Sequence, residues 1–238
     1  DTITIGSTNT QISGNFYSFN DWNQGSIVFW YTPERVPVSS TRIVGNATAG
    51  QPMITADSTS VSLTPGGMGF VAVSKSLTWT PGNTYLIVAR WNVISPIDGI
   101  NYASISVDNV HTFGRTSTWS PDTQNFTIGT TLNSANGIIE GLTIYRRVLF
   151  DGTYGTNVSN GNELTQIYNS GTGKDPTLIT GSWDVVFALP TNASTGTLTT
   201  GTGNAWSHPH LSNLLYTSTA NTGGFMMNGT YGTDGFVD

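Results

Sequence analysis

The chain has 238 residues, of which 37% are hydrophobic and only 9% are charged, and its net charge at pH 7 is −6. Ordinary soluble proteins contain about 25% charged residues, so hydroxyl and amide groups supply most of the polar surface here. The few basic residues are scattered, which excludes the basic patch of a nucleic-acid-binding protein. No apolar run approaches the roughly 20 residues of a membrane-spanning helix. We therefore expect an extracellular, cell-surface or virion-surface protein that neither binds nucleic acid nor inserts into a membrane.

Short β-branched and aromatic runs predict strands in the first half of the chain. Gly, Pro, Asn and Asp bound these runs, and Asp98-Gly99 and Asp108-Asn109 are turn signals. The predicted strands cover residues 26–32, 41–45, 67–74, 84–91 and 101–107.

The second half adds three predicted strands and one helix. The strands cover residues 126–129, 137–147 and 182–189. In the middle one, Ile138, Glu140, Leu142 and Ile144 alternate against Ile139, Gly141, Thr143 and Tyr145, which predicts a strand buried on one side and covered by the helix on the other. The predicted helix has Leu164, Ile167 and Tyr168 at helical spacing, with Asn160 or Asn162 as its cap and Gly171 at its end. These elements predict an all-β fold, a two-sheet antiparallel β-sandwich of the jelly-roll type with one short helix near 162–169.

The last part of the chain differs in composition. Residues 191–202 are almost wholly Thr, Ser, Gly and Asn, and apolar residues such as Trp206 and Phe225 follow. We therefore predict a sandwich over residues 1–189 and a Thr/Gly-rich extension or arm over residues 190–238. The extension is expected to dock on the sandwich or on a neighbouring subunit.

Three motifs in a fixed order suggest a family. They are GSIVFW at 25–30, ASISVDN at 103–109, and NGIIEGLTIYRRVLFD at 136–151 followed by ELTQIY at 163–168. This arrangement resembles the laminin-G-like, or concanavalin-A-like, lectin/glucanase jelly roll over residues 1 to about 175. Glu140 and Val148 stand where that family usually has Asp and Ala. The resemblance implies a β-sandwich that serves in glycan binding, adhesion or glycan hydrolysis.

The sequence offers no recognisable catalytic set, so we predict that the protein is not an enzyme. Glycan-hydrolysing relatives carry two or three carboxylates on one strand, whereas Glu34, Glu140 and Glu163 each lack a second carboxylate at that spacing. There is no nucleophile elbow of the G-x-S-x-G type and no cysteine. Glu140 is expected to bond to backbone or to pair with an Arg. A glycan hydrolase is kept as a remote alternative.

No cofactor is predicted, with calcium as the alternative that the resemblance implies. The histidines are interpreted as surface turn residues rather than zinc ligands, and they are His111, His208 and His210. Loop oxygens of the type that calcium prefers do occur, although they form no dense cluster. They belong to Asp21, Asn23, Asp98, Asp108, Asn109, Asp122 and Asp151.

Two loop tryptophans are the candidate glycan-binding residues. Sugar recognition combines an exposed aromatic face with amides and carboxylates that bind the hydroxyls. The candidate groups are Asp21, Trp22 and Asn23, and Trp119, Asp122 and Asn125. The alternative is that the loop tryptophans, including Trp79, hold loops onto the core. Trp30 and Trp91 lie in strong strands and are assigned to the core.

Two functions from different classes follow from these features. The first is a non-enzymatic structural or adhesive surface module of an extracellular or virion assembly, such as a decoration, tail or fibre subunit. It would self-associate or bind neighbouring structural subunits, because a Gly/Thr-rich arm could add to a neighbour's sheet edge. The second is a carbohydrate-binding, lectin-like module with surface glycans as partners. The fold supports both and does not choose between them, and the low charge, the missing catalytic set and the Gly/Thr-rich arm lead us to predict the structural function, with the lectin-like module as the alternative.

Overall fold

A computed structural model gives backbone and side-chain positions for residues 23–38, 41–45, 52–65, 71–114, 136–156, 158–174 and 179–180. Seven further short strands are described by their backbone alone. These are Thr2–Ile5, Thr10–Gly14, Phe126–Thr130, Val185–Ala188, Thr197–Leu198, Tyr216–Thr217 and Phe225–Met226.

The described residues form sixteen strands and one α-helix, which we number in chain order. The first eight strands are β1 (Thr2–Ile5), β2 (Thr10–Gly14), β3 (Gln24–Pro33), β4 (Thr41–Gly45), β5 (Met53–Ala56), β6 (Ser60–Thr64), β7 (Val73–Ser76) and β8 (Tyr85–Asn92). The others are β9 (Ala103–Val107), β10 (Val110–Gly114), β11 (Phe126–Thr130), β12 (Gly137–Tyr145), β13 (Val185–Ala188), β14 (Thr197–Leu198), β15 (Tyr216–Thr217) and β16 (Phe225–Met226). The helix α1 covers Glu163–Tyr168.

The strands assemble into two main sheets. The first sheet has the order β10-β9-β8-β3-β12-β1-β16, with β13 also paired to β12. The second sheet has the order β2-β11-β4-β5-β6-β7. Strands β14 and β15 pair with each other in a separate two-stranded sheet. Every pairing between described strands is antiparallel except that of β1 with β16. The predicted all-β, two-sheet architecture is therefore confirmed.

The main core lies between the two sheets. Alternate residues of the central strands point inward, so that β3 supplies Ile27 and Phe29 while Trp91 comes from β8. Ile54 and Leu63 from the second sheet are also fully buried in this cluster. The assignment of Trp91 to the core is confirmed.

A second apolar cluster covers the outer face of the first sheet. Val28 and Val88 point to this face, where Leu164 and Ile167 of α1 pack on them. The Asn162 side chain caps α1 by accepting a hydrogen bond from the Thr165 N–H at 2.9 Å. This confirms the predicted helix and its cover of the sheet.

Two details of the helix and the second apolar cluster differ from the predictions. The last residue of the α-helix is Tyr168, and its C-cap Asn169 adopts a left-handed conformation (φ 46°). A 3₁₀ turn then continues to Gly171. Trp30 is only half-buried and stacks on Tyr168, with ring centroids 6.4 Å apart. Trp30 therefore belongs to the layer under the helix and not to the main core.

The predicted alternation along β12 is wrong in its second half. The pairing register with β3 shifts between Glu140 and Thr143, and Gly141 has a φ of 59° that favours glycine. This bulge changes the parity of the strand. As a result Ile139, Leu142 and Ile144 all point into the main core.

The second sheet was predicted less completely than the first. Residues 73–76 form the strand that was expected over 67–74, whereas residues 66–70 lie outside the described part. The hairpin β5–β6 and the strand β10 were not predicted. Within the described residues, no helix has the length and apolarity needed to cross a membrane. The division into residues 1–189 and 190–238 stays a prediction.

Candidate binding site on the outer face of the first sheet

The site is built on the hairpin of β9 and β10. Both residues of its two-residue turn have positive φ, 48° at Asp108 and 64° at Asn109, which is the conformation of a type I′ turn. Asp108 Oδ1 also accepts a hydrogen bond from the Leu86 N–H at 2.9 Å and so ties the turn to β8. The turn sets the register that places His111 opposite Ser106 and Phe113 opposite Ser104.

Three rings form a row on this hairpin, which we call the aromatic strip. The ring centroids of His111 and Phe113 lie 6.4 Å apart. Tyr154, from the segment before α1, contacts Phe113 edge-to-face at 5.6 Å. His111 and Phe113 are half-buried, and Tyr154 is 38% exposed. The strip thus presents part of an apolar surface to solvent.

A buried arginine supports the strip. The Arg90 guanidinium lies 5.6 Å from the centroid of the Phe113 ring and donates to Asp151 Oδ2 at 2.6 Å. Its Nε donates to Ser104 Oγ at 2.9 Å, and Nη1 donates to the Leu149 carbonyl at 2.8 Å. These bonds join β8, β9 and residues 149–151, and they hold the guanidinium beside the Phe113 ring.

Asp151 orients Tyr154. Its Oδ1 accepts hydrogen bonds from the Thr153 N–H at 2.9 Å and the Tyr154 N–H at 2.7 Å. Burial alone raises the pKa of the carboxyl, but the Arg90 charge and these N–H groups outweigh burial and hold the pKa of Asp151 below its ordinary value. Asp151 is therefore an ionised structural group.

Three polar atoms of the same hairpin are shielded from solvent and have no hydrogen-bond partner among the residues that the structure describes. They are Ser106 Oγ, Asn109 Oδ1 and His111 Nδ1. Asn109 is held in place through its other amide atom, since Nδ2 donates to Thr165 Oγ1 at 3.1 Å. Buried polar groups are usually paired, so the described part of the protein leaves these three atoms without the partners that such groups normally have.

The charge state of His111 follows from its surroundings. Burial lowers its pKa, and the nearby Arg90 and Lys75 charges lower it further, against a smaller opposing effect of Asp151. Lys75 is close because the edge strand β7 of the second sheet lies against β10. The imidazole is therefore neutral at pH 7 and can both donate and accept a hydrogen bond.

Ser106, His111 and Asp151 do not form a nucleophilic triad. His111 Nδ1 has no partner in the described part of the chain, and the Asp151 oxygens accept bonds from Arg90 and from main-chain N–H groups. The base therefore lacks the orienting carboxylate that a triad needs. His111 lies on a strand, so its assignment to a surface turn was wrong.

Glu163 is similarly engaged. Arg147 donates to both of its oxygens, from Nη1 at 2.6 Å and Nη2 at 2.5 Å. The Phe150 N–H adds a third bond at 2.8 Å, and the carboxylate is fully buried. Such a carboxylate supports the fold and has no access to a substrate.

The glycan-binding residues predicted from sequence are largely outside the described part. This applies to Asp21, Trp22, Trp119, Asp122 and Asn125. Asn23 is described, and its carbonyl accepts a hydrogen bond from the Val93 N–H at 2.6 Å. The two candidate glycan-binding groups therefore stay a prediction.

Trp79 shows the other role that was considered for loop tryptophans. It is 4% exposed, and its Nε1 donates to the Asp57 carbonyl at 2.7 Å. Its ring packs edge-to-face on Tyr31 and Tyr85. Trp79 thus holds its loop onto the core.

The described aspartates among the candidate calcium ligands accept hydrogen bonds from the protein. Asp98 Oδ1 accepts from the Ile100 and Asn101 N–H groups, and Asp108 and Asp151 are bonded as given above. No group of three His, Cys, Asp or Glu residues suited to a metal occurs among the described residues. Asp21 and Asp122 lie outside them.

The aromatic strip was missed by the sequence analysis. Alternation in VHTFG at 110–114, next to the Asp108-Asn109 turn, was sufficient to place His111 and Phe113 on one face of a strand. Tyr154 follows a loop, and its approach to Phe113 depends on the Arg90–Asp151 ion pair. No sequence spacing reveals that contact.

Three solved structures are similar to this chain. A candidate carbohydrate-binding protein from Bacteroides ovatus is 12% identical with a TM-score of 0.51, and the match covers 79% of this chain and 52% of that one. A SAP-like pentraxin from Limulus polyphemus is 12% identical with a TM-score of 0.44, over 79% of this chain and 90% of that one. Domains LG4-5 of the mouse laminin alpha1 chain are 12% identical with a TM-score of 0.45, over 64% and 42%.

The likeness to the Bacteroides ovatus structure, together with the strand order, confirms the predicted laminin-G-like jelly-roll fold. At 12% identity it shows the fold alone, and this chain matches 52% of that protein. No protein-family model and no curated protein matches the sequence.

Proposed function

We propose that the chain is a glycan-binding module and that its sugar ligand lies on the aromatic strip. The observation that carries this proposal is the row His111, Phe113 and Tyr154 beside unpartnered polar atoms of the same hairpin. Sugars present apolar C–H faces and many hydroxyls. A ring surface next to amide, hydroxyl and imidazole groups matches both features.

The hydrogen-bonding groups favour sugar hydroxyls over charged ligands. Ser106 Oγ and a neutral His111 can each donate or accept, and Asn109 Oδ1 accepts. A hydroxyl also donates and accepts, so its hydrogen-bonding chemistry matches these groups. Asp151 neutralises the Arg90 charge that lies beside the Phe113 ring.

The proposal agrees with the lectin-like function that the sequence analysis considered. The Bacteroides ovatus protein of the same fold is itself a candidate carbohydrate-binding protein. Since folds of this class serve many functions, the strip and not the fold supports the assignment.

A glycan array with matched variants tests the proposal. Tyr154→Ala removes the most exposed ring, and we expect it to lose binding of the sugars that the unmodified chain retains. Ile94→Ala is the control, because it removes an apolar side chain that is 71% exposed on a different loop. Trp22→Ala and Trp119→Ala examine the sites predicted from sequence. Loss of binding in these two variants with none in Tyr154→Ala would place the ligand on the loops and refute the strip.

A structural or adhesive module is the second candidate function. It is favoured by β16, a strand from the predicted extension, whose backbone pairs with β1 of the first sheet. A strand that adds to its own sheet edge can add to the same edge of a neighbouring copy. The assembly partner would then be a second copy of this chain or another structural subunit.

Light scattering after size-exclusion chromatography tests this second function. We expect the full chain to form oligomers whose mass rises with concentration, and a chain that ends at residue 189 to remain monomeric. Monomers at every concentration for both chains would contradict the assembly function without affecting the glycan proposal.

A further inference from the structure

The outer face of the second sheet carries a polar row that the glycan proposal does not use. Arg42 on β4 lies opposite Thr55 on β5. Thr55 pairs with Ser62 on β6, and Ser62 pairs with Ser74 on β7. Neighbouring strands lie about 4.8 Å apart, so these four residues span roughly 14 Å. We call them the Arg42 row.

The side chains of this row face away from the core. Ile54 and Leu63 are fully buried in the core, so Thr55 and Ser62, one position away on the same strands, point to the opposite face. Thr55 and Ser62 are partly exposed, and Ser74 is exposed. The Ser62 and Ser74 hydroxyls are 2.7 Å apart and share a hydrogen bond. The row therefore offers linked hydroxyls at the surface.

Arg42, at one end of the row, has no ion-pair partner among the described residues. Its Nε is shielded from solvent and has no hydrogen-bond partner among the described residues. The ion pairs found in the described part of the chain involve Arg90 and Arg147 and not Arg42. Burial lowers the pKa of the Arg42 guanidinium, but an arginine keeps its charge in a protein. A partly buried positive charge thus stands beside a row of hydroxyls.

We propose that the Arg42 row binds a uronate-containing polysaccharide, with the carboxylate of one uronate on Arg42. A planar carboxylate matches the guanidinium fork and neutralises its charge. The hydroxyls of the sugar rings pair with Thr55, Ser62 and Ser74, because hydroxyls both donate and accept. An acidic peptide lacks these hydroxyls and is disfavoured. The net charge of −6 gives no long-range attraction for a polyanion, so the contact is local.

Calorimetric titration of the full chain with polygalacturonate tests the proposal, with dextran as the neutral control polymer. We expect the unmodified chain to bind polygalacturonate, and Arg42→Gln to bind it roughly tenfold to hundredfold more weakly. Arg42→Lys keeps the charge without the planar fork and is expected to recover part of the affinity. The matched control is Arg35→Gln, which removes the same charge from an exposed residue and should bind as the unmodified chain does.

Equal affinity of the unmodified chain and Arg42→Gln overturns the proposal, as does tighter binding of polyglutamate than of polygalacturonate. Thermal unfolding without ligand shows whether each variant folds. If Arg42→Gln does not fold, Arg42→Lys and Thr55→Val decide, and full affinity in both overturns the proposal. Arg42→Gln should still bind the neutral glycans of the array whose binding requires Tyr154. This separates a failure at the Arg42 row from a failure at the aromatic strip.

Discussion

Individual buried charges fasten the outer layer to the first sheet. Arg90 and Arg147 are 1% and 3% exposed, and each pairs with a carboxylate from the segment around α1. A buried pair contributes little net stability compared with apolar side chains, but loss of one partner leaves an uncompensated buried charge. The layer that positions Tyr154 therefore depends on both arginines.

Replacement of Arg147 by Met should destabilise the protein strongly. Glu163 would keep only its bonds from the Phe150 N–H and from Asn160 Nδ2, so we expect a loss of about 3–5 kcal/mol in the free energy of unfolding. Urea denaturation measures this loss. Arg146→Met is the matched control, because Arg146 is exposed, and it should change stability by less than about 0.5 kcal/mol. Equal effects of the two substitutions would contradict the role of the buried pair.

His111 should make stability depend on pH. Its pKa is lowered in the folded protein from the ordinary 6.5, so below pH 6.5 the unfolded chain binds a proton that the folded chain does not. Stability is therefore complete above this pH and is lost as pH falls from 6.5 towards the lowered pKa. We expect the difference in unfolding free energy between the unmodified chain and His111→Gln to change in this window and to be constant above pH 7. If the unfolding free energies of the two proteins differ by the same amount from pH 5 to 8, the pKa of His111 is not lowered in the folded protein.

The Asn162 side chain that caps α1 also links the helix to the segment that carries Tyr154. Asn162 Oδ1 accepts from the Thr165 N–H, and Nδ2 donates to the Asp151 carbonyl at 2.6 Å. Asn162→Ala removes both bonds and should cost about 1–2 kcal/mol of unfolding free energy. Asn169→Gly at the other helix end keeps the left-handed conformation and should stay within about 0.5 kcal/mol. Thermal unfolding of the two variants compares the helix ends directly.

The sequence was sufficient for elements that local chemistry determines. Strands β3 and β8 are long and rich in β-branched and aromatic residues, β9 alternates before the Asp108-Asn109 turn, and Asn162 precedes a helical apolar pattern. The bulge at Gly141 was not predicted, because a glycine in a strand is compatible with regular pairing and only the register with β3 reveals the shift. Strands β5 and β6, of four and five residues, were not predicted.

The candidate site was less predictable than the fold. Its rings come from a strand and a loop that are joined through Arg90, a residue that the sequence analysis placed in a strand without a partner. The long-range contacts of a buried arginine depend on the assembled sheet. Loop tryptophans beside Asp and Asn suggested a glycan site in the sequence, whereas the aromatic strip contains no tryptophan.

At the scale of the whole molecule, protection from hydrogen exchange should follow the two apolar clusters. Strands β3 and β8 contribute to both clusters, so they are covered on both faces. The edge strand β7 has only Val73 fully buried. We therefore expect the slowest amide exchange in β3 and β8, close to the rate of global unfolding, and fast exchange in β7. Equal protection in β7 and β3 would contradict the layered arrangement.

The most direct test of the glycan-binding assignment is NMR of the protein labelled on its His, Phe and Tyr rings, titrated with the best-binding glycan of the array. We expect the ring resonances of His111, Phe113 and Tyr154 to shift together and to saturate with one dissociation constant. Buried rings of the core, such as Phe29, should not shift. Saturable binding that leaves the resonances of all three rings unchanged would contradict a sugar site on the aromatic strip.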